Sequence, residues 1–163
     1  MTQPIGYEAA IPNPSLEAFR VLVGTWNTEG THPLVPGVTL HGRVSFEWLE
    51  GGAFLLMRSE ILDDDRFPSG MAVFGHDDDQ EGCTMVYFDQ RGVSRIIQTT
   101  LSGNVWKTWR NAPGFSQRST STISEDGNTI VGVGEMCRDG STWEGDLSLT
   151  YTREKPSTPA PSP

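Results

Sequence analysis

This chain is poor in the residues that build metal centres or bind nucleic acid. It has two cysteines and three histidines among 163 residues, and 12 Lys and Arg stand against 21 Asp and Glu, which gives a formal net charge of -9. Phosphate backbones and anionic membranes require clustered positive charge in their partners. We therefore expect no nucleic acid partner, no membrane partner and no metal site.

The two cysteines, Cys83 and Cys137, lie in separate strand-like runs and lack the spacing of metal ligands. Reduced structural thiols are the favoured interpretation of the pair, and a disulfide is the alternative. We assign no function to either residue.

No run is long and apolar enough to cross a membrane, and residues Met1 to Pro4 do not begin a signal peptide. These features predict a cytoplasmic protein. The length suits one domain, which we place at residues 14–155 after an N-terminal arm at 1–13. Residues 156–163 alternate Pro with small residues and predict a disordered or polyproline-like tail.

One short helix is predicted at the start of the domain, from Pro14 to Val23. Asn13 is placed to cap it, and proline is favoured in a first helical turn. The apolar face holds Leu16, Phe19, Leu22 and Val23.

The remaining chain predicts about ten strands, from Thr25–Thr31 to Thr142–Arg153. The links between them are short and carry Gly, Asn or Asp, which is typical of hairpins. Consecutive hairpins without a second helical region indicate an all-β fold, a single up-and-down antiparallel barrel that closes to remove its edges. A barrel of ten strands leaves room for a cavity.

Side-chain alternation predicts which residues face that cavity. In the last strand the inward set is Trp143, Leu147, Leu149, Tyr151 and Arg153, whereas Asp146 belongs to the outward set. In the second strand Val44, Phe46 and Trp48 are predicted to face inward. The run 115–123 is polar on both faces, so we expect a partly hydrophilic interior.

The two ends of the domain carry a recognisable pair of motifs. Gly24-Thr25-Trp26 follows the helix, and Arg153 ends the last strand. This pair resembles the signature of the calycin superfamily, the lipocalins and fatty-acid-binding proteins, in which the indole plugs one end of the barrel and the guanidinium stacks on it. The resemblance implies that Gly24, Trp26 and Arg153 lie at a closed end, where cation–π attraction joins the two side chains.

The fatty-acid-binding proteins carry a helix pair between their first two strands, and only residues 32–37 fill that gap here. The run 24–30 is more similar to nitrobindin-type barrels and to uncharacterised bacterial calycin-like domains, and the runs 47–55 and 87–93 also resemble the second of these groups. Nitrobindin-type proteins bind heme through a histidine on a late strand. His32, His41 and His76 all lie in the first half of this chain, so we expect no heme and no other cofactor.

Several side chains are candidates for contact with a flat or apolar guest, with core packing as the competing interpretation for each aromatic one. The candidate ligand contacts are Trp48, Met57, Arg58, Tyr87, Trp106 and Arg118. The candidate acids and bases are His76, Tyr87 and Glu135; a solvated turn residue is the competing interpretation for His76.

Three hypotheses about function follow. The first is binding of a small hydrophobic or aromatic molecule in the lumen. The second is an enzyme, of cyclase or isomerase type, which predicts that His76, Arg58, Glu60, Tyr87 or Glu135 converge inside the barrel. The third is a filled barrel that serves as a scaffold or dimerisation protein. A homodimer is one possible oligomeric state.

Overall fold

The computed structural model describes residues 10–77 and 79–155. The predicted tail at 156–163 and most of the predicted arm lie outside these residues. A 3₁₀ helix spans Pro14–Leu22, and a short 3₁₀ turn spans Glu50–Gly52. Within the described ranges, no helix has the length and apolar character needed to cross a membrane.

Eleven strands make up the rest of the described fold. They are β1 (Gly24–Thr31), β2 (Leu40–Leu49), β3 (Phe54–Ile61), β4 (Gly70–Gly75), β5 (Cys83–Asp89), β6 (Ser94–Ser102), β7 (Val105–Arg110), β8 (Ser116–Ile123), β9 (Thr129–Cys137), β10 (Trp143–Gly145) and β11 (Ser148–Arg153).

The strands form one closed antiparallel sheet. Each strand from β1 to β9 pairs with its neighbour in sequence, and β11 pairs with both β9 and β1. The segments β10 and β11 are two parts of the barrel's last strand, because both pair with β9. The predicted ten-stranded up-and-down barrel is confirmed.

A β-bulge separates β10 from β11. Gly145 pairs with Glu135 and Leu149 pairs with Gly132, so residues 146–148 oppose only residues 133 and 134. The lack of a side chain at Gly134 makes this possible, because a Cβ there would collide with the carbonyl oxygen of Leu147.

The bulge corrects two predicted orientations, because one extra residue reverses the alternation. Trp143 was expected to face inward, but it lies outside the barrel with the Arg118 guanidinium 3.8 Å from its ring centroid. Asp146 was expected to face outward, but it contributes to the wall of the internal cavity.

The helix Pro14–Leu22 covers one end of the barrel. Its predicted N-cap is confirmed, since the side-chain Oδ1 of Asn13 accepts a hydrogen bond of 3.0 Å from the Ser15 backbone N–H. Leu16, Phe19 and Leu22 of the predicted apolar face are buried against the strands, and Val23 is partly buried. We call this end the closed end.

Trp26 and Arg153 join the helix to the barrel at the closed end. Trp26 is fully buried, and its indole N–H donates to the carbonyl oxygen of Leu22 at 2.8 Å. The Arg153 guanidinium lies 4.1 Å from the indole centroid and donates to the carbonyl oxygens of Val21 and Val23, both at 2.6 Å. Carbonyl groups in the last turn of a helix lack hydrogen-bond donors within the helix, and Arg153 supplies these donors.

Gly24 is the residue that brings Arg153 this close. Its φ of 128° is rarely adopted by residues with a side chain, and a Cβ at this position would lie 2.8 Å from the Arg153 Nη1 atom. The glycine of the Gly-x-Trp motif is therefore required by both backbone conformation and space.

Side chains fill the half of the barrel above the closed end. Phe46 packs edge-on against Phe74 and Trp106, with ring centroids 6.2 Å and 5.9 Å apart, and Phe19 of the helix contacts Phe74 at 5.3 Å. The opposite half, which we call the open end, is bounded by the loops after β1, β3, β5, β7 and β9.

The two cysteines are free, buried thiols at opposite ends of the barrel. The Cys83 thiol begins β5 at the closed end and donates to the Ser15 carbonyl oxygen at 3.4 Å, whereas Cys137 ends β9 at the open end. Burial raises the pKa of the Cys83 thiol and keeps it protonated.

The plug role of Trp26 can be measured. We expect Trp26→Ala to lower the free energy of unfolding by about 3 kcal/mol or more, because it leaves a cavity in a filled core and removes the platform under Arg153. Equilibrium urea unfolding, followed by circular dichroism, measures this loss.

Trp143→Ala is the matched control, since Trp143 also stacks on an arginine but lies on the outer surface. We expect it to cost about 1 kcal/mol or less. Equal losses in the two variants would contradict the assignment of Trp26 as the plug.

Candidate functional site

The open half of the barrel encloses a cavity of about 550 Å³. This volume lies within the range of small-molecule sites, roughly 300 to 1,000 Å³. Its apolar wall includes Val44, Met57, Ile61, Ile97, Met136, Leu147 and Leu149, and its polar wall includes Thr28, Ser59, Tyr87, Arg95, Gln117, Asp146 and Tyr151. The surface of the lumen is mainly apolar by area, and polar and apolar side chains contribute to its wall in similar numbers.

The floor of the cavity rests on the closed-end plug. The Tyr151 ring contacts Trp26 edge-on, with centroids 6.4 Å apart. Burial raises the pKa of Tyr151 to about 12, so the phenol is protonated at neutral pH. No described residue hydrogen-bonds to its hydroxyl, which leaves this group as a free donor and acceptor for a guest.

Four side chains form a continuous hydrogen-bonded chain along one wall. Arg95 Nη1 donates to Gln117 Oε1 at 3.0 Å, and Gln117 Nε2 donates to Asp146 Oδ2 at 2.8 Å. The other Asp146 oxygen, Oδ1, lies 3.1 Å from His32 Nε2. The contacts fix the orientation of the Gln117 amide, because only its nitrogen can donate to the carboxylate.

The tautomer of His32 follows from its second contact. The Leu34 backbone N–H donates to His32 Nδ1 at 3.0 Å, so Nδ1 is the acceptor and Nε2 carries the proton that is donated to Asp146. Both ring nitrogens are thus occupied. His32 is buried, and it ties the loop after β1 to the last strand.

A second set of hydrogen-bonded polar side chains lies at the end of β5. The Tyr87 hydroxyl donates to Asp89 Oδ2 at 2.9 Å, and Arg91 Nη2 donates to the same oxygen at 2.7 Å. Burial, followed by the hydrogen bond to Asp89, raises the pKa of Tyr87 to about 12. The hydrogen bond from Arg91 is the main cause that holds the pKa of Asp89 well below its usual range.

Two of the six predicted ligand contacts line the cavity, namely Met57 and Tyr87. Trp48 and Trp106 face inward but lie in the filled half: Trp106 is buried and donates to Thr99 Oγ1 at 2.9 Å, and Arg20 lies 5.3 Å from the Trp48 centroid. Both tryptophans therefore support the core.

Arg58 and Arg118 lie on the outer face of the barrel, away from the lumen. Arg118 pairs with Glu135 at 3.1 Å on that surface. Arg58 lines an external groove of about 650 Å³ over β2 to β5, together with Met71 and Phe88. This groove is a depression on the outer face, and it shares Ser59 and Glu60 with the lining of the cavity.

The predicted acids and bases do not converge. His76 lies at the closed end, where its Nδ1 donates to the Gly82 carbonyl oxygen at 2.8 Å, and Glu135 lies outside with Arg118. Of the three, Tyr87 alone lines the cavity. In the described part of the chain, no group of three or more His, Cys, Asp or Glu residues has the geometry to hold a metal ion.

The lining also does not supply the histidine that a nitrobindin-type heme site would use. His32 is at the cavity, but neither ring nitrogen is free to bind iron. Methionine and tyrosine side chains also bind heme iron in proteins, and Met136 and Tyr151 both face the lumen. The raised pKa of Tyr151 disfavours the phenolate form, which is the form that binds iron.

Sequence reasoning missed Asp146, Gln117 and His32 as a connected group. The available signal was Gly145, because a glycine inside a strand often marks a bulge. The bulge at this point turns Asp146 towards the lumen, where His32 and Gln117 can reach it.

No family model matches this chain, and no curated protein matches it. Solved structures do match. One of them is the crystal structure of Rv2717c from M. tuberculosis, with a TM-score of 0.60 and 17% sequence identity over 87% of this chain and 98% of that chain. At this identity the likeness supports the barrel fold alone.

The contacts of Asp89 predict how the free energy of unfolding depends on pH. A carboxyl whose pKa is lower in the folded state stabilises the protein above its unfolded pKa of about 4, and this contribution disappears as the pH falls towards the folded value. We expect Asp89→Asn to cost about 1 kcal/mol at pH 7, since Arg91 is exposed and solvent screens the pair. The cost should shrink as the pH falls from about 5 to about 2.

Urea unfolding of both proteins at several pH values measures this difference. Asp65→Asn is the control, because Asp65 is exposed and no described residue hydrogen-bonds to its side chain. A cost for Asp89→Asn that stays constant down to pH 2 would contradict the assignment.

Proposed function

We propose that this protein binds a small hydrophobic or aromatic molecule inside the barrel. The observation that carries the proposal is the cavity of about 550 Å³ in the open half, whose surface is mainly apolar by area and carries oriented polar groups. Apolar sites with few polar groups favour binding of a guest by burial, with orientation by hydrogen bonds.

The filled half of the barrel supports this proposal over a scaffold. The closed half of the barrel is filled by the aromatic side chains Phe46, Phe74 and Trp106. Large side chains can therefore fill a barrel of this width. The open half instead carries Ser59 and Thr28 at lumen-facing positions, which leave space. An internal volume of this kind is expected for a binding protein.

The polar groups support binding over catalysis by a cyclase or isomerase, which is the alternative function. An acid or base needs a free site that faces the substrate. His32 and Asp146 are the titratable pair in contact at the cavity, and each already has its hydrogen-bonding atoms engaged. Tyr87 is likewise committed to Asp89.

The formal net charge of -9 also supports a small molecule as the partner in place of nucleic acid or an anionic membrane. Native mass spectrometry of the protein as purified, followed by organic extraction, tests for a molecule that occupies the lumen.

A lumen-blocking variant gives a direct test. Met57 faces the cavity from β3, and the larger indole in Met57→Trp should fill part of the space. We expect this variant to bind the neutral fluorescent probe N-phenyl-1-naphthylamine about tenfold more weakly than the wild type, or not at all. Fluorescence titration measures the affinity.

Met71→Trp is the matched control, since Met71 lies on the neighbouring strand and faces the external groove. It should bind the probe with unchanged affinity. If the wild type binds no probe, or if both variants lose affinity equally, binding within the lumen is contradicted.

A further inference from the structure

We propose that the ligand carries an anionic group, of which a carboxylate is the simplest example, and that Arg95 binds it. The inference rests on the proposed binding function and names the chemical class of the guest. It comes from the hydrogen-bonding state of one guanidinium inside the barrel.

Arg95 points into the lumen from β6. It pairs across the sheet with Tyr87, and the next inward residue of its strand, Ile97, lines the same cavity. The Arg95 guanidinium carbon lies 5.0 Å from the centroid of the Phe115 ring. The ring restricts the position of the guanidinium and leaves the donors at its edge available.

The protein uses only part of the donor capacity of Arg95. A guanidinium has five N–H donors, and one protein contact is made, from Nη1 to Gln117 Oε1 at 3.0 Å. No carboxylate of the described residues lies within 4.0 Å of Arg95. The guanidinium therefore faces the cavity with unused donors and with no described carboxylate to balance it.

The three other arginines that line the cavity differ in this respect. Arg66 pairs with Asp64 at 2.6 Å, Arg91 pairs with Asp89 at 2.7 Å, and Arg138 pairs with Glu144 at 2.7 Å. These three side chains border the cavity, but each charge is already balanced by a neighbouring carboxylate. Arg95 is thus the arginine in the described lining that a guest would have to balance.

The acidic residues of the wall do not offer an equivalent site for a cation. Asp146 is the carboxylate on the polar wall, and both of its oxygens accept hydrogen bonds, from His32 and from Gln117. A cationic guest would have to displace one of these donors. Glu60 borders the cavity but is exposed to solvent, which screens its charge.

Gln117 and Phe115 give the Arg95 site its geometry. The Gln117 amide is held by Asp146, so its oxygen, and not its nitrogen, faces Arg95. This leaves the remaining guanidinium edge for the two oxygens of a carboxylate, which Arg binds through parallel hydrogen bonds. The apolar body of the guest would then extend towards Met57 and the Tyr151 hydroxyl at the floor.

The experiment compares three naphthalene probes of similar size by isothermal titration calorimetry at pH 7. They are 1-naphthylacetic acid, its neutral analogue 1-naphthylacetamide, and the cationic 1-naphthylmethylamine. We expect the acid to bind about tenfold more tightly than the amide, because only the acid forms a charge-assisted pair with Arg95. The amine should bind most weakly.

Arg95→Gln then removes the charge and leaves a shorter, polar amide side chain at this position. We expect this variant to bind acid and amide with equal affinity. Arg118→Gln is the control and should keep the preference for the acid, because Arg118 lies on the outer face of the barrel and is already paired with Glu135. Thermal unfolding verifies that both variants are folded.

The outcomes separate this inference from the proposed function. Amide binding without a preference for the acid, an amine that binds more tightly than the acid, or an acid preference that survives in Arg95→Gln would each overturn the anionic ligand and leave lumen binding standing. A wild type that binds neither these probes nor N-phenyl-1-naphthylamine would overturn both.

Discussion

The contact of Arg153 with Trp26 and the helix end is the constraint on which the barrel depends. The two residues are directly paired across β11 and β1, which is the seam where the sheet closes. The guanidinium stacks on a fully buried indole and donates to Val21 and Val23, so one side chain joins the first strand, the last strand and the helix. A cation here is stable because the carbonyl dipoles of the helix end face it. The closed end is consequently a fixed floor, and the open end is where space remains for a guest.

The closed end was predictable because its determinants are local. Asn13 and Pro14 specify the helix start, Gly24 supplies a backbone conformation that a side chain would strain, and alternation places Trp26 inside. The arginine partner is distant in sequence, and the family resemblance rather than any local rule indicated it. Strand number and topology likewise follow from hairpin signals between consecutive strands, each of which joins neighbours in the sheet.

The site was predicted less well, because alternation specifies the face of a strand and not the height of a residue along the barrel axis. Trp48 and Trp106 do face inward, yet they lie in the filled half, while Met57 on the adjacent strand reaches the cavity. Height depends on the register between strands, which a single sequence does not encode in any local pattern. Residue type and charge alone made Arg58 and Arg118 candidate ligand contacts. Both lie on the outer face of the barrel, where charged side chains are solvated.

The polar wall of the lumen depends on the β-bulge between β10 and β11. The contacts at the closed end explain why the bulge lies at this position. Arg153 anchors β11 at the floor, so its register there cannot shift without loss of the buried stack. The extra residue must then be accommodated nearer the open end, where Gly134 gives the Leu147 carbonyl room. The resulting bulge turns Asp146 inward, Asp146 orients Gln117, and Gln117 presents its oxygen to Arg95. The buried contact that closes the barrel therefore also determines how the guanidinium in the cavity is held, although the two arginines lie at opposite ends of the lumen.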